Sequence, residues 1–142
     1  MGLLPNRLSV IVMTIGLAIL GYSEICRADW ILFDKGTDAD FYYDGEDMKR
    51  SSSGIVTLWL KRIYTEKGRA EMSVILGSRS EELDHSITLS DIDCVGKMIL
   101  PLSSVYFSKD RKVLEIKESS SQWEFVGEGS PFEVLCGKVC PH

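Results

Sequence analysis

The chain reads as an α+β domain, a mainly antiparallel sheet of about six strands with one helix docked on it near the C terminus. Three features carry that reading. Short runs of β-branched and aromatic residues recur from residue 30 onward, with short polar turns between them. One strong helix-start signal stands at Ser130-Pro131-Phe132-Glu133. One cysteine of the strand region, Cys94, is matched by two in the terminal helix, Cys136 and Cys140.

The fold begins after an address. Arg7 precedes an apolar run over residues 8–20, and the sequence GYSEICRA then leads to Asp29-Trp30. A basic start, a short apolar core and a small-x-small site describe a secretory signal peptide, with cleavage expected after Ala28. The run of 13 residues is short for a membrane-spanning helix, which needs about 20. Ile25 before Cys26 and Ser23 at −3 fit a lipobox poorly, so Cys26 is not read as a lipid anchor. Residues 29–142 are then the domain, and no transmembrane segment follows the cut. Cleavage removes Arg7, Arg27 and Glu24, which moves the formal net charge from −5 to −6.

Of the 142 residues, 26% are charged and 44% hydrophobic, an ordinary balance for one globular domain. The acidic balance argues against a nucleic-acid surface, which needs clustered Lys and Arg. No repeat and no Pro/Gly-rich linker divides residues 29–142.

The strand signals run in order. Residues 30–33 open the domain. Residues 41–43 are aromatic and end at Asp44-Gly45, a turn signal. Residues 55–64 (IVTLWLKRIY) place Val56, Leu58 and Leu60 on the more apolar face and Thr57, Trp59 and Lys61 on the other; both faces carry bulk, and a central strand covered on at least part of both faces is expected. Residues 67–76 form a weak helical pattern, with Ala70 and Val74, joined by Met72 and Ile75, near one face. Residues 86–94 alternate well. Residues 97–106 follow Gly96 at hairpin spacing, 113–117 follow the polar turn at 108–111, and 123–126 form a last short strand.

The terminal helix has the sharper pattern. Ser130 is expected as N-cap, Pro131 at N1 and Glu133 at N3, a capping box with the preferred first-turn proline. Phe132, Leu135, Cys136, Val139 and Cys140 fall at helical spacing, and Pro141 marks the stop. So short a helix is unstable alone and must dock on the sheet.

The cysteines support structure more than chemistry. Cys136 and Cys140, at i,i+4, suit a mutual disulfide poorly. Cys94 is therefore expected to join one of them. Cys140 at the helix end is favoured and Cys136 remains the alternative. The unpaired thiol, Cys136 on the first choice, reads as an inert core residue; the rival reading is a thiol oxidoreductase using it. Cys136-x-x-x-Cys140-Pro-His142 misses the C-x-x-C-H haem pattern in spacing and in His position. No zinc spacing is present. The acids Asp34, Asp38, Asp40, Asp44, Glu46 and Asp47 fail the EF-hand frame, because Tyr42 stands at its fifth position, and read as solvated loop charge. His85 is isolated, no G-x-S-x-G elbow accompanies it, and a hydrolase using it is the second enzymatic rival. No cofactor and no metal ligand set is expected. Tyr43 and Trp59 are the candidate binding contacts, with core packing the competing role for both.

These residues also resemble a known family. Trp30, Tyr43-Asp44, Trp59-Leu60-Lys61, His85-Ser86-Ile87-Thr88-Leu89, Ile92-Asp93-Cys94, Trp123, Gly129-Ser130, Glu133-x-Leu135 and Val139-Cys140 follow in the order of the surface-adhesin protein E-like domain of Gram-negative bacteria, across nearly all of residues 29–142. The resemblance implies a twisted antiparallel sheet with a C-terminal helix lying over it, and a Cys94–Cys140 disulfide. It implies protein partners: the family's namesake binds host extracellular-matrix and serum proteins at the cell surface. It brings no catalytic residues. Cys136 is an addition to the family pattern.

The combined reading is an exported, non-catalytic, adhesin-like binding module of the periplasm or outer surface, with extracellular-matrix or envelope proteins as partners. A periplasmic accessory protein is the alternative. The sheet face away from the helix is the expected contact surface, and edge strands offer strand addition as a second route.

Overall fold

Alternating side chains and short polar turns favour strands that return on themselves, and the chain does this five times between six strands. A computed structural model describes residues 28–118 and 122–142. The expected signal segment, Cys26 included, lies outside the described residues except for Ala28.

Strands β1 (Trp30–Lys35), β2 (Ala39–Arg50), β3 (Ile55–Tyr64), β4 (Leu83–Asp93), β5 (Met98–Ser108) and β6 (Val113–Glu118) lie side by side in chain order. Every neighbouring pair is antiparallel. A two-residue strand, β7 (Glu124–Phe125), pairs with β5 at Met98 and Ile99. Because β4 occupies the other side of β5 there, β7 continues the edge that β6 begins. The expected α+β class, strand number and terminal helix therefore hold.

Two short helices, α1 (Glu66–Glu71) and α2 (Ser73–Leu76), and a 3-10 turn (Gly77–Glu82) connect β3 to β4. Helix α3 (Pro131–Val139) ends the fold. Its Leu135 and Val139 are fully buried, and Phe132, Cys136 and Cys140 pack on the same core. The Arg50 guanidinium donates to the Val139 carbonyl and satisfies one of the acceptors a helix leaves open at its C terminus. The sulfurs of Cys94 and Cys140 stand at bonding distance, with Cα atoms 5.6 Å apart. The disulfide joins the end of α3 to the end of β4.

One sheet face is covered. Phe33, Phe41, Val56, Leu58, Leu60, Ile92 and Ile99 lie on it and meet Leu135 and Val139 of α3. The register that carries Val56 to Ile92 and on to Ile99 keeps these residues on one side across three strands.

Three local expectations are corrected. Asp44-Gly45 is not a hairpin turn; it lies within β2. Tyr43 pairs with Leu60 and Met48 with Leu58, so residues 44–47 oppose Trp59 alone, as an extended bulge. The buried Asp44 carboxylate accepts the N–H groups of Asp29 (3.2 Å) and Glu46 (3.0 Å), and the Gly45 N–H donates to the Asp29 carbonyl. The hairpin turn comes earlier, where the Gly36 N–H donates to the Ala39 carbonyl.

The helical face expected over residues 67–76 is also different. Ala70, Val74 and Ile75 are exposed, Val74 at 92%. The inner stripe is Gly68 and Leu76, both buried, with Met72 packed against the core between them. Glycine lets this stripe approach the chain at Asp38 more closely than any side chain could.

Finally, the capping box does not form. Ser130 is the N-cap and Pro131 sits at the helix start, as expected. The Ser130 hydroxyl, however, donates to the Gly127 carbonyl at 2.6 Å, and the Glu133 carboxylate accepts from the Gly129 N–H at 3.3 Å. Both side chains stabilise the turn before α3 rather than each other.

Candidate functional site

The alternation that buries one side of β3 turns Thr57, Trp59, Lys61 and Ile63 to the other side. No described element covers that face, so the expectation of a central strand covered on part of both faces is corrected: the single layer of helix packs on the Val56–Leu60 side alone. Register builds a transverse row on it: Leu32 pairs with Tyr42, Tyr42 with Lys61, Lys61 with Ile87, Ile87 with Val105 and Val105 with Ile116. Five of the six side chains in the row are apolar or aromatic, and the row crosses all six long strands. Its two ends are the most open, with Leu32 at 40% and Ile116 at 58% exposure. In the next row Trp59 pairs with Leu89, and on the far side Ile63 pairs with His85 and His85 with Phe107.

Polar contacts hold this surface in shape. The Trp59 indole N–H donates to the Asp47 carboxylate at 3.2 Å, across the bulge in β2. The Lys61 ammonium stands 5.5 Å from the Trp30 ring centroid, within cation–π range. Thr57 donates to Asp91 at 2.6 Å. An apolar centre framed by polar groups is the composition of a protein-contact patch.

The two candidate binding residues are not brought together. Trp59 is on the open face. Tyr43 pairs with Leu60 on the covered face, with its ring 6.0 Å from that of Phe33 in the core cluster. The open row itself was not singled out from the sequence. Its signal was the second face of each alternating strand, which shows as a surface only once register aligns the strands.

The two enzymatic rivals find little in the geometry. Burial pushes the Cys136 thiol up; Lys97 pulls it down and Glu133 adds to the rise. The thiol so placed keeps its proton at neutral pH, the opposite of an activated nucleophile. His85 stacks on Phe107 at 4.9 Å, and its Nδ1 lies 2.7 Å from the Asp84 carboxylate. Among the described residues, no serine hydroxyl hydrogen-bonds to that imidazole. Also among the described residues, no three His, Cys, Asp or Glu side chains converge as a metal site, and no helix is long and apolar enough to cross a membrane.

Comparison with known proteins agrees with this architecture. The fold is similar to that of the selenomethionine form of Haemophilus influenzae protein E, with a TM-score of 0.54 and 11% identity over 80% of this chain and 87% of that one. A second structure of Haemophilus influenzae protein E gives a TM-score of 0.49 and 9% identity, covering 80% of this chain and 85% of that one. At such identities the likeness concerns the fold alone. No curated protein matches the sequence. Residues 30–141 match the family described as Surface-adhesin protein E. With the described domain spanned from its first strand to the residue after the Cys140 tether, the chain belongs to the surface-adhesin protein E family.

Proposed function

We propose that this protein is an exported, non-catalytic binding module whose open sheet face docks a protein of the cell envelope or the extracellular matrix. The transverse row from Leu32 to Ile116 carries the reading. A sheet face without a covering layer leaves apolar side chains in water, and a contiguous patch of that kind marks an interaction surface. Family membership supports a surface adhesin-like role, and Trp59 beside the row supplies an aromatic anchor of the type that dominates such contacts. The signal-like residues 1–28 supply the route out of the cytoplasm.

The test is binding to purified extracellular-matrix proteins and to solubilised outer-membrane proteins, with the wild type beside an Ile87→Asp/Ile116→Asp variant. Loss of at least tenfold in affinity, with the circular dichroism spectrum and unfolding midpoint retained, is the expected result. Equal binding by the variant, or no binding to either panel by the wild type, overturns the proposal. Intact mass of the exported chain checks the route separately and is expected to correspond to a start at Asp29.

A further inference from the structure

The covered face carries a second feature, remote from the open row. Beyond the apolar patch under α3 the same face turns polar. Arg62 pairs with Ser86 and Ser86 with Tyr106; in the next row Thr88 pairs with Ser104. With Tyr64, these residues floor a cleft of about 440 Å³, a size usual for a small-molecule site. A purely structural sheet face would place aliphatic side chains at such central positions. Here five hydroxyls and a guanidinium stand instead.

The floor is organised before any ligand arrives. Tyr64 and Ser86 hydroxyls are 2.9 Å apart, as are those of Thr88 and Ser104. The Tyr64–Ser86 pair is buried and fixes the floor; the half-buried Thr88–Ser104 pair uses one proton between its two oxygens and keeps a second proton and further lone pairs for a guest. The Arg62 guanidinium lies 5.3 Å from the Phe41 ring centroid and 5.4 Å from that of Phe132. The rings position the cation, and among the described residues no carboxylate pairs with it. A held guanidinium with unused N–H groups is a fork for a carboxylate. The lining also includes Lys117 with Glu118 and Glu124. Two carboxylates there repel a polyanion and admit a ligand with a single acidic group kept near Arg62.

We propose that this cleft binds an acidic monosaccharide unit, with its carboxylate on Arg62 and its ring hydroxyls on the Thr88–Ser104 pair. Hydroxyl pairs donate and accept alike, which matches the hydroxyls of a sugar ring. The site stands on the opposite face of the sheet from the protein-docking row, so either can fail without the other.

The experiment is titration of the oxidised, isotopically labelled protein with D-glucuronate, followed by backbone amide shifts. D-glucose, an N-acetylated dipeptide with a free C-terminal carboxylate, and a sulfated polysaccharide are run beside it. Expected are millimolar saturation by glucuronate with shifts centred on residues 86, 88, 104 and 106, and at least tenfold weaker binding of glucose. Arg62→Lys is expected to weaken glucuronate at least fivefold. Thr88→Val/Ser104→Ala, which leaves the cation in place, is expected to weaken it similarly. No saturable shifts with glucuronate, shifts centred elsewhere, or unchanged binding by the Thr88→Val/Ser104→Ala variant overturns the proposal. Dipeptide binding equal to that of glucuronate overturns it in favour of a peptide carboxylate. Tighter binding of the sulfated polysaccharide at the same residues overturns it in favour of a polyanion.

Discussion

A Cβ on Gly68 would stand 1.9 Å from the carbonyl oxygen of Asp38. That oxygen already accepts the Thr65 N–H at 2.9 Å and lies 2.9 Å from the Thr65 hydroxyl, whose proton it shares with the Thr37 carbonyl at 2.7 Å. The Thr65 hydroxyl oxygen in turn caps α1 by accepting the Gly68 N–H at 3.2 Å. Turn and helix are thus locked through one carbonyl with no room for a methyl group. Gly68→Ala should destabilise the domain by about 1–3 kcal/mol, the usual cost of overpacking. Gly137, inside α3 with nothing within 4 Å of its virtual Cβ, makes the control. Gly137→Ala should stabilise by up to about 1 kcal/mol through helix propensity. Urea unfolding checks both; a midpoint unmoved by Gly68→Ala would remove the proposed clash.

Cys94 and Cys140 are 46 residues apart in sequence. In the chain-entropy account, closing a loop of that length is worth roughly 4 kcal/mol. The helix it tethers is only 9 residues long and depends on docking for its existence. Cys94→Ser/Cys140→Ser should therefore lower stability by several kcal/mol, and it should release α3 before the sheet melts. Alkylation of Cys136 reports that release. The reaction should be slow in the oxidised wild type and faster in the variant. Equal rates would mean that the helix stays docked by its apolar face alone.

Asp44 is 5% exposed, and its carboxylate joins the start of the domain to the bulge in β2 by accepting N–H groups of Asp29 and Glu46. Removing the acceptor leaves those donors without this partner, at about 1–3 kcal/mol. Asp44→Ala should cost that much, and Asp44→Asn, which keeps one acceptor oxygen, less. Hydrogen exchange at the Glu46 amide gives the local readout, and it should lose protection in Asp44→Ala. Unchanged protection would place the hold on the bulge elsewhere.

The same aspartate shows what sequence can and cannot specify. Alternation in residues 55–64 was enough to place Val56, Leu58 and Leu60 inside, because strand periodicity is a local property. The spacing Phe132, Leu135, Cys136, Val139 and Cys140 likewise described the buried side of α3. Asp44-Gly45 misled because the pair has turn chemistry, while here the carboxylate bonds back to Asp29 and the small residue makes room for Ile31. Both partners lie 14 or more residues away in sequence, beyond any local pattern. The helical stripe around Gly68 was hidden for a similar reason: glycine adds nothing to a hydrophobic pattern, yet it sets the closest approach. The open row needed five strand registers at once, and each depends on tertiary pairing. Tyr43 and Trp59 are both aromatic, and whether an aromatic faces the core or the solvent follows from strand parity across the bulge.

Tyr106 offers a test by pH. Burial raises its phenol above the ordinary 10.0; Tyr64 adds to the rise, Arg62 and the neighbouring Ser104 hydroxyl oppose it, and Glu115 adds again. The native state therefore favours the neutral phenol. Between the unfolded value of about 10 and the higher folded value, the native protein binds more protons than the unfolded chain, and stability falls as pH rises. The contribution is fully present below the unfolded value and is lost as pH passes through the folded one. Cys136 is shifted the same way by burial, so a Cys136→Ser background separates the two groups. In that background, absorbance near the phenolate band should show a late-titrating tyrosine that Tyr106→Phe removes. Urea stability measured from about pH 9 to 11 should fall less steeply in Tyr106→Phe than in its parent. Equal slopes would show that Tyr106 ionises alike in the folded and unfolded protein, and that the floor of the cleft is more open to water than its burial indicates.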